Sequence, residues 1–109
     1  MSRPPRIWIS TETPARDEIV RIRAQIAHPM ETGFRQQADG TPMPRNILTG
    51  FRALLNDAVL MEWQPEPTVS QNPYIEFTFA ARDSGTLRMI WTDERGDFAE
   101  AERSITLEG

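Results

Sequence analysis

Apolar residues recur in this chain at every second position, and nowhere do they hold a helical period for ten or more residues. Val20, Ile22, Ala24 and Ile26 alternate with Arg21, Arg23 and Gln25, and Ile75, Phe77 and Phe79 alternate with Glu76 and Thr78. Successive side chains of an extended strand point to opposite faces, so each run sends one set into a core and the other into water. Near the carboxyl terminus Leu87, Met89 and Trp91 repeat the pattern with Arg88 and Thr92 between and after them. Asp93-Glu94-Arg95-Gly96-Asp97 then supplies turn chemistry before a strand expected from Phe98 to Leu107. With those residues as the loop of a hairpin, Arg88 falls opposite Glu102 on the solvent face. Nine prolines punctuate the intervals between runs, which leaves little room for helix.

The segment from Ile47 to Trp63 breaks the simple alternation. Ile47, Phe51, Ala53 and Leu55 share one parity, while Leu48 and Leu54 lie on the other. Asn56-Asp57 tolerate positive φ and so suit a hairpin turn leading into Val59, Met61 and Trp63. Two apolar faces need two covers. Either one face packs in the core and the other contributes to a subunit interface, or loops of the same chain cover Leu48 and Leu54. Six or seven short strands in 109 residues predict an all-β fold, an immunoglobulin-like antiparallel sandwich, with residues 1–109 as one domain. The two long connections, about His28 to Arg45 and Gln64 to Pro73, are where a β scaffold carries binding function.

Composition closes off several classes of chemistry. The net charge of −4 and the scattering of twelve arginines give no general attraction to a phosphate backbone or an anionic lipid surface, so neither nucleic acid nor membrane is an expected partner. Lysine is absent, which removes Schiff-base chemistry. Cysteine is absent too, so any thiol chemistry belongs to a partner. The start, Met1-Ser2-Arg3-Pro4-Pro5-Arg6, is followed by no apolar run of the kind a secretory signal carries, and no stretch approaches the roughly 20 apolar residues that span a bilayer.

His28, the single histidine, stands just before Pro29 with neither a nucleophile nor an orienting carboxylate in any ordered spacing. It therefore reads as a structural or interface hydrogen-bonding group. Carboxylate pairs such as Glu100 with Glu102, or Asp93 with Asp97, fit solvation on a strand face and a turn better than acid–base work. No ligand spacing points to a metal or a cofactor, and Met30, Met43 and Met61 read as adaptable packing. Trp8, Trp63 and Trp91 supply the rival functional class, a carbohydrate-binding platform on a free-standing sandwich, although Trp91 shares the core parity of Leu87 and Met89.

Several segments together carry a family likeness. His28-Pro29-Met30-Glu31-Thr32-Gly33, then Pro44-Arg45-Asn46-Ile47, then Asn72-Pro73-Tyr74, then Ser84-Gly85-Thr86-Leu87 with Trp91, resemble in order and spacing the SoxZ family, the Z component of the sulfur-oxidising Sox carrier complex. The first run is the most specific, and the likeness covers nearly the whole chain. It departs from the pattern at Phe34 and Gln36-Gln37, where polar and basic residues are more usual, and in the proline-rich Gln64-Pro65-Glu66-Pro67.

The resemblance implies a non-catalytic sandwich subunit without cofactor. It pairs with a SoxY-type subunit whose carboxyl-terminal arm ends in a cysteine. In the family, thiosulfate is conjugated to that arm, and separate haem- and manganese-containing Sox enzymes meet the carrier transiently. The lack of cysteine here agrees with the Z role and excludes the Y role. The resemblance also implies a periplasmic location, reached as a folded complex on the signal of the Y partner. Self-association of the isolated chain stays open. The surface expected beside the partner and its arm comprises His28, Pro29, Met30, Glu31, Gly33, Phe34, Arg45, Asn72, Pro73 and Tyr74. Arg45 has two readings, a clamp for a carboxylate or an anionic sulfur group and a salt bridge that staples its own loop. Pro73 and Tyr74 have two as well, a partner-facing turn and a strand start with a core ring.

Overall fold

In the computed structural model, which describes residues 4–66 and 68–108, the alternating runs become seven strands. They are β1 (Arg6–Ile9), β2 (Ile19–Gln25), β3 (Leu48–Leu55), β4 (Ala58–Trp63), β5 (Tyr74–Ala80), β6 (Gly85–Asp93) and β7 (Phe98–Ile105). Met1-Ser2-Arg3 and Pro67, which figure in the reading of the amino terminus and of the proline-rich connection, lie outside the described residues. The strands form a three-stranded sheet in the order β1-β2-β5 and a four-stranded sheet in the order β4-β3-β6-β7, with every neighbouring pair antiparallel. No α-helix occurs among the described residues. This is the expected immunoglobulin-like sandwich.

The inward set of each strand makes the core. Val20, Ile22 and Ala24 from β2 and Ile75, Phe77 and Phe79 from β5 face Phe51 and Ala53 from β3 and Leu87, Met89 and Trp91 from β6. Phe51 joins the two sheets. Its ring lies 4.9 Å from Trp91, tilted by 56°, and 6.0 Å from Phe77, tilted by 57°. Tilted contacts of this kind contribute about 0.5–1.5 kcal/mol each beyond the area they bury.

Three local expectations concern the four-stranded sheet. Arg88 pairs with Glu102 in register and reaches Glu100 more closely, at 2.9 Å against 3.6 Å. The turn at Asn56-Asp57 has φ of 51° and 68°, the left-handed conformation expected there. The strand begun at Phe98 ends at Ile105 rather than Leu107. The two parities of β3 are resolved by a bulge. A register shift between Leu48 and Gly50 turns Leu48 into the core at 0% exposure, where it is covered by its own chain, while Leu54 stays half-buried on the outer face.

Topology also sorts the loops. Gln25, at the end of β2, pairs with Tyr74, at the start of β5, and with Arg6, at the start of β1. Leu48, at the start of β3, pairs with Asp93, at the end of β6. Phe51, near the start of β3, pairs with Trp63, at the end of β4. The β2–β3, β4–β5 and β6–β7 connections therefore all emerge at one end of the sandwich. Both long connections singled out in the sequence lie there.

Candidate functional site

The β2–β3 connection leaves the sheet through a reciprocal pair. The backbone N–H of His28 donates to Asn72 Oδ1 (3.0 Å), and the N–H of Asn72 donates to the carbonyl of His28 (2.7 Å). Asn72 has φ of 54°, which its side chain tolerates better than most. The chain then turns at Met30, φ 48°, where the Met30 N–H donates to His28 Nδ1 (3.0 Å) and the thioether accepts the N–H of Leu48 (3.3 Å). Glu31 and Asn46 exchange backbone hydrogen bonds of 2.8 and 2.7 Å and close the base of the excursion.

Above that base the excursion stands on its own contacts. Arg35 donates to Glu31 Oε2 through Nε (2.8 Å) and Nη2 (2.6 Å), and the Gly33 N–H donates to Glu31 Oε1 (3.2 Å). The Arg35 hydrogen bond is the main reason the Glu31 carboxyl is held below its ordinary value. Gly33 takes φ of 86°, a conformation that disfavours any side chain. Phe34 follows with 91% of its surface exposed.

Beneath the excursion lies a buried polar cluster. Asp93 Oδ1 accepts the backbone N–H groups of Arg95 (2.9 Å) and Asp97 (3.0 Å), which shapes the β6–β7 turn. Asp93 Oδ2 accepts from Asn46 Nδ2 (3.4 Å) and lies 3.5 Å from His28 Nε2. The His28 and Asp93 side chains are 2% and 3% exposed. Since Nδ1 accepts the Met30 N–H, His28 is the neutral tautomer with its proton on Nε2, aimed at Asp93. At 3.5 Å that Nε2–H faces the carboxylate at the limit of hydrogen-bond length, and Asn46 Oδ1 is buried with no hydrogen bond among the described residues. Burial lowers the His28 pKa below 6.5, against the opposing pull of Asp93.

The surface expected from the sequence thus divides in two. His28, Met30, Glu31 and Pro73 are buried within the chain, where His28, Met30 and Glu31 hold the loops through the hydrogen bonds above. Pro29, Phe34, Arg45, Asn72 and Tyr74 are exposed, and Gly33 is half-buried. Tyr74 starts β5 with its ring in solvent, 54% exposed, so the alternative of a core ring is wrong. Arg45 makes the stapling salt bridge: its Nε donates to Glu94 Oε1 (3.2 Å), and the Ile47 N–H donates to the same oxygen (3.3 Å).

Asp93 and Asn46 are the residues that sequence reasoning missed. Asp93, expected with Asp97 to be a solvated turn carboxylate, is instead 6% exposed, because the bulged start of β3 and the loop at His28 close over it. Its place at the head of a hairpin loop was the available signal, since an Asp there commonly accepts backbone N–H groups two residues on. The three tryptophans do not make a platform. Trp91 is in the core, Trp63 is half-buried on β4, and Trp8 lies on the outer face of the other sheet with the Arg23 guanidinium 4.7 Å from its ring centre. No group of three or more metal-ligating side chains occurs among the described residues.

With this geometry in hand, comparison with known proteins is informative. The family described as "Sulphur oxidation protein SoxZ" matches residues 9–104. No curated protein matches the chain. Among solved structures, the chain is similar to a putative superoxide reductase from Thermotoga maritima, with a TM-score of 0.72, 15% identity, and coverage of 100% of this chain and 89% of that one. The superoxide reductase (neelaredoxin) from Ignicoccus hospitalis gives 0.70 and 19%, covering 97% and 81%. The sulfur carrier protein SoxY from Chlorobium limicola gives 0.68 and 12%, covering 99% and 82%. At such identities these likenesses are of fold alone.

Proposed function

The chain belongs to the SoxZ family of sulphur oxidation proteins, and from that premise we propose that it is the non-catalytic companion of a SoxY-type sulfur carrier. In this reading the heterodimer presents sulfur intermediates on the cysteine of the partner's arm during thiosulfate oxidation. The observation that carries it is the loop end of the sandwich. Phe34 and Tyr74, 91% and 54% exposed, stand there above loops pinned by the buried His28 and Asp93 and the half-buried Asn46. Large exposed aromatics on a rigid base are what a binding surface needs, because little ordering entropy remains to be lost.

The arm lies against Phe34, Asn72 and Tyr74, and Arg45 faces it. Arg45 keeps its Glu94 contact at rest and turns remaining guanidinium donors toward an anionic sulfur group. The chain has no cysteine, so sulfur stays on the partner throughout. The complex works in the periplasm, exported as a folded pair on the partner's signal, and meets the other Sox enzymes transiently.

The test is co-expression with the cognate Y-type subunit, followed by size-exclusion chromatography and mass spectrometry of the intact complex. The expected result is a one-to-one heterodimer with sulfur adducts on the partner's cysteine alone. A monomer indifferent to that subunit would refute the reading.

A further inference from the structure

Among the described residues, β1, β5, β4 and β7 stand at the edges of the two sheets. Unpaired edges invite association, and proteins blunt the ones they do not use with short length, proline or charge. β1 has four residues and follows Pro4-Pro5. On β7 the outward Glu100 and Glu102 engage Arg88, and on β5 the outward Glu76 engages Arg21 and Arg23. The inward residues of β5 and the inward Ala99 and Ala101 of β7 are buried.

Each of those edges carries one exposed ring, Trp8 on β1, Tyr74 on β5 and Phe98 on β7, whereas β4 is apolar along most of its length. Its sequence, Ala58-Val-Leu-Met-Glu-Trp63, holds one charge, Glu62, which is paired with Arg52 on the neighbouring strand. Register places Met61 opposite Ala53 and Trp63 opposite Phe51, so both share the core-facing parity, yet both remain half-exposed. The cause is the mismatch of the layers, since three strands cannot cover four. Val59, opposite Leu54, points to the outer face and is 47% exposed, and Leu60 occupies a bulge between the two registers. Apolar surface therefore wraps around this edge from one face to the other. Beside its upper end an open groove of about 340 Å³ is lined by Gly50, Ile90 and Thr92, by the paired Arg52 and Glu62, and by the chain end of β4 at Trp63-Gln64. At Gly50 a Cβ would press to 3.1 Å from Thr92 Oγ1, a tight contact on that strand pair.

We propose that the β4 edge is the docking surface for the carrier subunit, which lays an uncharged extended strand along it and a bulky apolar side chain into the adjoining groove. The inference rests on the heterodimer reading above. Two observations select this occupant. The open edge of β4 offers backbone donors and acceptors that an extended strand satisfies, and a subunit with the fold shared by SoxY carries such strands. The edge also runs into the β4–β5 connection, whose far end is Asn72 and Tyr74, so a partner seated on β4 has its arm within reach of the loop end. Docking and arm recognition then form one continuous surface.

Hydrogen–deuterium exchange on the wild-type heterodimer and a titration of the Val59→Lys/Met61→Lys double variant test this together. The amides of β4 are expected to gain protection in the complex. The folded double variant is expected to bind the Y-type subunit at least about 30-fold more weakly, the loss typical of a buried interface anchor. Phe98→Ser, on the opposite edge, should stay within about twofold. If the wild type binds while β4 gains no protection, the docking surface lies elsewhere, whether or not the double variant folds. If β4 is protected equally in the chain alone through self-association, the occupant is a second copy and the proposal fails. Absence of any wild-type complex instead overturns the heterodimer reading.

Discussion

Replacing Asp93 by Asn tests the buried cluster most severely, because it preserves shape and removes only charge and one acceptor. Oδ1 accepts two backbone N–H groups, from Arg95 and Asp97, and Oδ2 faces the Asn46 amide and His28 Nε2. After substitution one amide oxygen still serves the two backbone donors, but without charge assistance, at a cost of about 1 kcal/mol each. The new amide nitrogen then faces Asn46 and His28. Asn46 accommodates it by rotating its side-chain amide, since its Oδ1 is unbonded. His28 has no such freedom. To present an acceptor at Nε2 it must carry its proton on Nδ1, which would confront the Met30 N–H 3.0 Å away. One buried donor is therefore left facing another, costing about 1–3 kcal/mol. The expected total is about 3–5 kcal/mol, and at 4–8 °C per kcal/mol for a domain of this size the melting midpoint drops by at least about 10 °C. Urea unfolding followed by tryptophan fluorescence and circular dichroism measures the loss directly. Stability within about 0.5 kcal/mol of wild type would refute the assigned tautomer and the role of Asp93 as the hub of the loop end.

His28 predicts a pH dependence. Its pKa is lowered in the fold by burial, so between that value and 6.5 the unfolded chain binds a proton that the folded chain does not. Stability from this group is complete above 6.5 and declines as pH falls toward the folded value, by up to about 1.4 kcal/mol per pH unit. In His28→Asn, whose Oδ1 replaces Nδ1 as acceptor for the Met30 N–H, the decline between pH 7.5 and 5.5 should be shallower, and parallel unfolding curves would rule out the neutral imidazole. Phe34→Ser should leave stability within about 0.5 kcal/mol, given the exposure of the ring, while weakening capture of the partner's arm; unchanged affinity for the Y-type subunit would remove Phe34 from the interface. Arg45→Ala should lower turnover of conjugated sulfur through loss of the anion contact, and unchanged turnover together with unchanged partner affinity would leave Arg45 only its bond to Glu94.

Much of this protein is written in alternation that acts over a few residues. A strand with one buried face needs only every second side chain to be apolar, so β2, β5, β6 and the start of β7 are legible in the chain itself, as is the turn at Asn56-Asp57, whose positive φ is a local property. The register of Arg88 with Glu102 follows from loop length alone. The absence of cysteine is equally a fact of sequence. What the sequence did not determine depends on contacts between distant segments. The burial of Asp93 requires the His28 loop and the bulge after Leu48 to close over a hairpin turn more than forty residues from either. The burial of His28, Met30 and Pro73 beside the exposure of Phe34 and Tyr74 likewise follows from which loops share an end of the sandwich, and strand order decides that. The partly uncovered face of β4 has the same origin. Nothing in Met61 or Trp63 announces exposure on a core-facing parity; it arises because a sheet of three strands lies against a sheet of four, and that count belongs to the tertiary structure.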